Sequence, residues 1–186
     1  GTIMQEGGLT FDAIYEPADF TVKLLDNDGK TPLKEVTATF GDSLEELQNY
    51  VPEKPGYDFV KWSEEIPDTM GGEDFTAQAI WNAKTYKLEF YDADGTLVDI
   101  IVEKTDAPVK APDFPVVEGY VYTAWVNEKG ESVPATMPVG GDKFTAVREP
   151  ANVSITLDAN GGELTCDEKI DAKFGDPIDT PTDPVL

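Results

Sequence analysis

Hydrophobic and polar residues alternate along three short stretches of the chain, and each stretch predicts a β-strand. The stretches lie at residues 20–24, 86–90 and 153–157. Because the side chains of a strand point alternately to the two faces of a sheet, this period of two predicts one buried and one solvated face. Leu24 and Phe90 fall on the predicted buried face. Lys87 and Glu89 fall on the predicted solvated face.

A turn typical of a tight β-hairpin follows each of these strands. The turns read DNDG, DADG and DANGG, and their Asp-Gly and Asn-Gly pairs suit the positive φ angles of such turns. Gly29, Gly95 and Gly161 are spaced 66 residues apart in both intervals. A constant period of this length indicates an internal repeat.

Each complete repeat also carries an aromatic motif, GYDFVKW at 56–62 and GYVYTAW at 119–125. A closing strand aligns as LTFDAIY at 9–15, FTAQAIW at 75–81 and DKFTAVR at 142–148. The order of strand, strand, helix or crossing, strand, strand is typical of an α+β, β-rich unit. It predicts a small antiparallel-rich sheet with one covering helix.

The segment between the second strand and the aromatic motif predicts the helix of the first repeat. Ser43 and Glu46 have the spacing of a capping box. One helical stripe is formed by Leu44, Leu47 and Val51. The predicted helix-starting caps of the three repeats are Asp42, Asp106 and Asp176. In the second repeat, three prolines limit this segment to one turn or an extended crossing.

The aromatic motifs have two interpretations. A domain of about 66 residues buries only roughly 60% of its unfolded surface, so large rings are needed to fill its core. The rings predicted to serve this purpose are Tyr57, Phe59, Tyr120 and Tyr122. The alternative is a platform for sugar rings, which also favours aromatic side chains and would need them exposed and coplanar. The candidate ligand-binding residues are Trp62, Trp81 and Trp125.

Composition narrows the possible chemistry. A formal net charge of -23 disfavours nucleic acid and anionic membrane surfaces as partners, and serves either solubility or a cationic partner. The absence of histidine removes the usual general base, the Ser-His-Asp triad and HExxH zinc chemistry. Cys166 is the only cysteine, which excludes an internal disulfide and a CxxC metal site. No apolar run is long enough to insert in a membrane. We expect no catalytic residue, no cofactor and no metal.

The acidic turns could also suggest a calcium site, because oxygen-rich loops suit a hard cation. An EF-hand loop, however, needs an acid two residues before each turn, where Leu24 and Phe90 stand. The hairpin interpretation is therefore favoured. The adjacent pair Glu64 and Glu65 could in principle serve a glycosidase, but neighbouring side chains usually point apart.

These motifs together resemble the Listeria–Bacteroides repeat, also known as the internalin B-type repeat of bacterial surface proteins. The resemblance rests on VSITLDANGG at 153–162, EGYVYTAW at 118–125 and PGYDFVKW at 55–62, with the segments leading into the closing strands. It implies a β-grasp, ubiquitin-like fold whose first and last strands lie side by side. It also implies an extracellular or cell-wall setting, with repeats that act as spacers or adhesion modules. Arg148 departs from the pattern, because the other copies carry Tyr15 and Trp81 there.

The repeat frame predicts four segments along the chain. They are the closing part of a preceding repeat at 1–18, complete repeats at 19–85 and 86–151, and the opening hairpin of a partial repeat at 152–186. The partial repeats are expected to pair end to end between molecules, since each exposes a strand edge. Short junctions between the repeats predict an elongated, stiff tandem array.

The predicted role is a non-enzymatic stalk or adhesion segment of a bacterial cell-surface or secreted protein. The alternative is a carbohydrate- or protein-binding module that acts through exposed aromatic rings. The expected partners are a host or cell-surface protein or a glycan. A cell-surface hydrolase is a third and weaker hypothesis, because the chain contains no histidine.

Overall fold

The structure is a computed structural model of the chain, and it describes residue 14, residues 16–159, residue 161 and residues 169–178. The predicted closing strand at 9–15 and Cys166 therefore lie outside the described residues, apart from residue 14. The chain divides into two compact units between Ala83 and Lys84. Each unit has its own sheet and its own core.

The first unit contains a four-stranded mixed sheet. Its strands are β1 (Asp19–Leu25), β2 (Pro32–Thr39), β3 (Tyr57–Trp62) and β4 (Phe75–Ala83). They are ordered β2-β1-β4-β3, with β1 and β4 parallel and the other two pairs antiparallel. The prediction of a β-rich unit is confirmed, but the sheet is mixed because the last strand returns beside the first in the same direction.

The second unit repeats this topology. Its four-stranded sheet consists of β5 (Thr85–Tyr91), β6 (Leu97–Lys104), β7 (Tyr120–Val126) and β8 (Asp142–Pro150). The order is β6-β5-β8-β7, and the parallel pair is β5 with β8. A separate two-stranded antiparallel sheet follows, formed by β9 (Asn152–Thr156) and β10 (Lys169–Lys173).

Two separate hydrophobic clusters form the cores. The first consists of Val22, Leu24, Leu44, Leu47, Ile66, Met70 and Ala77. The second consists of Leu88, Phe90, Trp125, Met137, Phe144 and Ala146. Met70 and Met137 belong to the first and the second cluster and are only 2% and 1% exposed. Burial of each such large side chain stabilises its unit by about 1.5–3 kcal/mol. Each unit therefore has a stabilising core of its own.

The predicted helix forms in the expected place but is much shorter than its pattern. Helix α1 spans only Glu45–Gln48, with Leu47 buried against the first core. Val51 is 66% exposed, because the helix ends before the stripe reaches it. The N-cap is Leu44 rather than Ser43, and Ser43 Oγ accepts the backbone N–H of Glu45 at 3.4 Å, so the predicted Ser43–Glu46 capping box does not form. In the second unit, the described residues contain no helix, in agreement with its prolines.

The predicted helix caps have a different role, because they close the turn after the second strand. The carboxylate of Asp42 accepts the backbone N–H of Thr39 at 2.9 Å, and Asp176 accepts that of Lys173 at 3.0 Å. Asp106 instead occupies the place of Gly41 and Gly175, and like them it has a positive φ, here 63°, which is uncommon for a non-glycine residue. In the part of the chain that the structure describes, none of the three begins a helix.

Within the described part of the chain, no helix has the length and apolar character that a membrane span requires.

Candidate functional site

Trp62 and Trp125, the tryptophans of the two aromatic motifs, pack against other rings of their own unit. Trp125 is 5% exposed and meets Phe90 edge-on, at 5.2 Å between centroids and 78° between planes. Trp62 is half-buried and stacks on Tyr50 at 6.2 Å and 18°. A platform for sugar rings would need free, coplanar faces. Each of the two rings has at least one face covered within its own unit.

The two motif tryptophans differ in the bonding of the indole nitrogen. Trp125 Nε1 donates a hydrogen bond to the backbone oxygen of Pro112 at 3.1 Å. Trp62 Nε1 is buried and has no acceptor among the described residues. Beside Trp62 lies a surface groove of about 540 Å³, whose wall includes Gln48 and Glu65. Trp62 is therefore the candidate ligand-binding residue with an unused donor, although that donor is covered in this structure.

The third candidate, Trp81, belongs to a polar cluster around the first hairpin turn. Trp81 Nε1 donates to Asp26 Oδ1 at 2.6 Å, and Lys54 Nζ donates to Asp26 Oδ2 at 2.9 Å. The Lys54 ammonium lies 5.0 Å from the centre of the Tyr57 ring. Burial raises the pKa of Asp26, but hydrogen bonds from Lys54, the Asn27 backbone and Trp81 outweigh it and lower the pKa below its usual value. We call these residues the Asp26 cluster.

The second unit builds the same cluster with different donors. Asp92 occupies the place of Asp26 and accepts a hydrogen bond from Tyr122 Oη at 2.8 Å. Arg148 Nη1 lies 3.3 Å from the other carboxylate oxygen of Asp92. Arg148 departs from the repeat pattern in sequence but does the same structural job as Trp81. Each of the two side chains donates to the carboxylate of the first hairpin turn in its unit.

The other turn acids satisfy backbone groups of the hairpin and do not converge on an ion. Asp28 accepts the backbone N–H groups of Lys30 and Thr31, both at 2.8 Å, and the Thr31 hydroxyl at 2.6 Å. The Thr31 hydroxyl and these N–H groups lower the pKa of Asp28 to about 2. Across the described ranges, no three His, Cys, Asp or Glu side chains gather as a metal site requires. The oxygens of these turns are used in the hairpins.

Glu89 contradicts the expectation of a solvated side chain. It is 7% exposed and lies between Lys87 and Lys143, with Lys143 Nζ at 3.1 Å and the Tyr91 hydroxyl at 2.9 Å. Hydrogen bonds from Lys87, Lys143 and Tyr91 lower the pKa of Glu89 to about 2. The alternating pattern missed this burial because Lys143 comes from β8, which lies beside β5 only in the folded sheet.

The residues predicted as core differ in how deeply they lie. Leu24 and Phe90 are fully buried. Three rings are half-buried, namely Tyr57, Phe59 and Tyr122. Tyr120 is 37% exposed and lies outside both core clusters. Its ring packs edge-on against Phe174 at 5.7 Å, because it stands at the start of β7 and faces the end of β10.

Comparison with known proteins agrees with the sequence motifs. Residues 20–84 match the family model of the Listeria-Bacteroides repeat domain. Among curated proteins, no match was found. A solved structure, the type 2 repeat of the mucus binding protein MUB from Lactobacillus reuteri, aligns over 72% of this chain and 99% of its own, with 11% identity and a TM-score of 0.21. That score is too low to define a shared fold. The family match over residues 20–84 confirms the resemblance to the Listeria-Bacteroides repeat found in the sequence.

Proposed function

We propose that the chain is a non-enzymatic structural segment of a bacterial cell-surface or secreted protein, which carries mechanical load between adhesive or catalytic parts. The repeats of this segment are β-grasp units at 19–85 and 86–151, with a further hairpin beginning at 152. The extracellular setting and the adhesion role come from the family resemblance. The geometry of the two sheets supports the mechanical part of the proposal.

The observation that carries this proposal is the parallel pairing of the first and last strands in each unit. β1 pairs with β4 from Val22–Phe75 to Leu25–Gln78. β5 pairs with β8 from Leu88–Asp142 to Tyr91–Thr145. In a parallel pair, the start of the first strand and the end of the last lie at opposite ends. A force on the two termini therefore shears several hydrogen bonds together and does not open them one by one.

The polar clusters support a structural role for the acidic side chains. The Asp26 cluster, its counterpart at Asp92 and the buried Glu89 each tie two or more strands or turns together. Their carboxylates have cationic or hydroxyl partners within the fold. Perturbed acids mark catalytic sites only when a cleft and a substrate position accompany them, and structural ion pairs perturb acids equally well.

Single-molecule pulling on the second unit tests the mechanical proposal. With handles at Thr85 and Pro150, the load shears β5 against β8, and each event should release roughly 20 nm of chain. The matched control places handles at Thr85 and Lys104, the paired ends of the antiparallel hairpin β5–β6. We expect a much higher rupture force in the first geometry. Equal forces in both geometries would contradict the proposal.

A second candidate function is carbohydrate binding, favoured by one observation. The groove beside Trp62 joins an aromatic edge to amide and carboxylate side chains, and these groups suit neutral sugar hydroxyls. A glycan array with the intact chain tests it. Binding that disappears in Gln48→Ala and in Glu65→Ala, and persists in the exposed control Glu53→Ala, would support this candidate. An array without hits would remove it.

The end-to-end pairing of partial repeats stays a prediction. One of its two strands, at residues 9–15, lies almost wholly outside the described residues. Light scattering over a wide concentration range tests it, because a strict monomer at high concentration would contradict it.

A further inference from the structure

The contact between β10 and the start of β7 shows how one repeat of this chain meets the next. The ring of Phe174 lies directly on Gly119, where an added Cβ would stand 2.4 Å from the ring carbons. The same ring meets Tyr120 edge-on at 5.7 Å. Gly119 has a φ of 79°, so a side chain here would be both strained and blocked. The Gly-Tyr pair of the aromatic motif is thus a receiving surface for the following hairpin.

Backbone hydrogen bonds complete this joint. Ala151 donates its N–H to the oxygen of Gly119 at 2.8 Å, and Phe174 donates its N–H to the oxygen of Ala151 at 2.8 Å. The Arg148 guanidinium lies over the Tyr120 ring, with its central carbon 4.6 Å from the ring centroid. We call Gly119, Tyr120, Ala151 and Phe174 the Gly-Tyr joint.

The first unit carries, at its own beginning, the same elements that the hairpin contributes to this joint. Glu16-Pro17-Ala18 repeats the sequence Glu149-Pro150-Ala151, and Phe40-Gly41-Asp42 repeats Phe174-Gly175-Asp176. Phe40 donates its N–H to the oxygen of Ala18 at 2.9 Å, as Phe174 does to Ala151. Neither sequence stands at the start of the second unit, where Lys84 takes the place of Ala18 and Thr105-Asp106 that of Phe40-Gly41. The two tripeptides therefore occur together in this chain.

Phe40 has no comparable cover among the described residues. It is 59% exposed and borders a surface groove of about 330 Å³, which also includes Pro17, Ala18 and Phe20. Phe174, which does have a partner, is 42% exposed. A large exposed apolar side chain beside an apolar groove is typical of an interaction surface.

From this equivalence we infer that the Phe40 surface is the docking site for the Gly-Tyr turn of another repeat of this kind, attached through Glu16-Pro17-Ala18. The incoming Gly presents its bare Cα to the Phe40 ring, and its carbonyl accepts the Ala18 N–H. The incoming Tyr ring packs edge-on against Phe40. This inference goes beyond the proposed load-carrying role, because it names a specific partner for the Phe40 surface. It also predicts that the tripeptides Glu-Pro-Ala and Phe-Gly-Asp, when they occur together, mark a repeat that docks on the Gly-Tyr turn of the preceding one.

The test compares the chain with an extended chain in which residues 86–150 are fused directly before Ala18. Hydrogen exchange is measured at Ala18 and at Phe40 in both chains. In the extended chain, we expect these amides to gain protection, and Phe40→Ala to abolish the gain. The control Val60→Ala removes a 56% exposed apolar side chain of the same unit and should leave the gain intact.

The existing joint supplies an internal standard for this experiment. In the unextended chain, Phe174→Ala should reduce protection at Ala151, whereas Phe40→Ala should leave protection of the first core unchanged, which also shows that the variant folds. Extension without any gain of protection at Ala18 would overturn the inference. So would concentration-dependent association of the unextended chain that Phe40→Ala abolishes, because it would assign the surface to a second copy.

Discussion

Trp81 Nε1 and Asp26 Oδ1 lie 2.6 Å apart, and this hydrogen bond joins the last strand of the first unit to its first hairpin turn. The same carboxylate holds Lys54, which precedes β3. One acid thus connects three separate segments of the repeat. Loss of the carboxylate leaves the half-buried Trp81 donor without this partner, whereas Lys54 keeps its hydrogen bond to Asn27 Oδ1 at 2.8 Å.

The first prediction concerns this carboxylate. Asp26→Ala should lower the free energy of unfolding of the first unit by about 1–3 kcal/mol, the cost of leaving the Trp81 N–H unsatisfied. Asp26→Asn should cost less, because its amide oxygen still accepts from Trp81. Urea unfolding followed by tryptophan fluorescence measures both, with the exposed Glu53→Ala as the control. A cost for Asp26→Ala no larger than that of Glu53→Ala would contradict the structural role of the cluster.

The two motif tryptophans give a matched pair. Trp125→Phe removes the hydrogen bond to Pro112, whereas Trp62→Phe removes a buried N–H without an acceptor among the described residues. The first change should therefore cost roughly 0.5–1.5 kcal/mol more than the second, beyond the similar loss of ring volume. Equilibrium unfolding of the two variants checks the difference. Equal costs would mean that Trp62 Nε1 has a partner in solution, as a groove-bound ligand or water would provide.

Glu89 should contribute to the pH dependence of the second unit's stability. Its pKa falls from 4.5 to about 2 on folding, so the folded state holds the ionised form more strongly. The resulting stability is fully present above pH 4.5 and is lost as the pH falls towards 2. Glu89→Gln should flatten the stability curve in this window. Thermal unfolding between pH 2 and pH 6, followed at Trp125, measures it, and an unchanged slope would contradict the assignment.

Local patterns predicted the strands well, because alternation and hairpin turns are encoded within a few residues. Leu24 and Phe90 lie at the centres of the cores that their alternation indicated. Contacts between distant segments were not visible in the same way. The sequence predicted a solvated Glu89, but Lys143 of the last strand pairs with it in the folded sheet. It predicted Tyr120 as a core residue, but the Tyr120 ring instead contacts Phe174 of the following hairpin.

The sequence located the helix of the first unit correctly but overestimated its length. Leu44 and Leu47 are buried as their spacing indicated, but Val51 lies beyond the last helical turn. The equivalence of Trp81 and Arg148 was visible in the alignment of the closing strands. Its meaning needed the structure, because only the fold brings Asp26 and Asp92 beside them.

Separate cores are the central requirement of a chain that carries load as a series of repeats. Hydrogen exchange of the Leu24→Ala variant tests this requirement most directly, because Leu24 is fully buried in the first core and absent from the second. The variant should lose protection in β1 to β4 while β5 to β8 keep wild-type protection. Loss of protection in both sheets would show one cooperative core and contradict the repeat architecture.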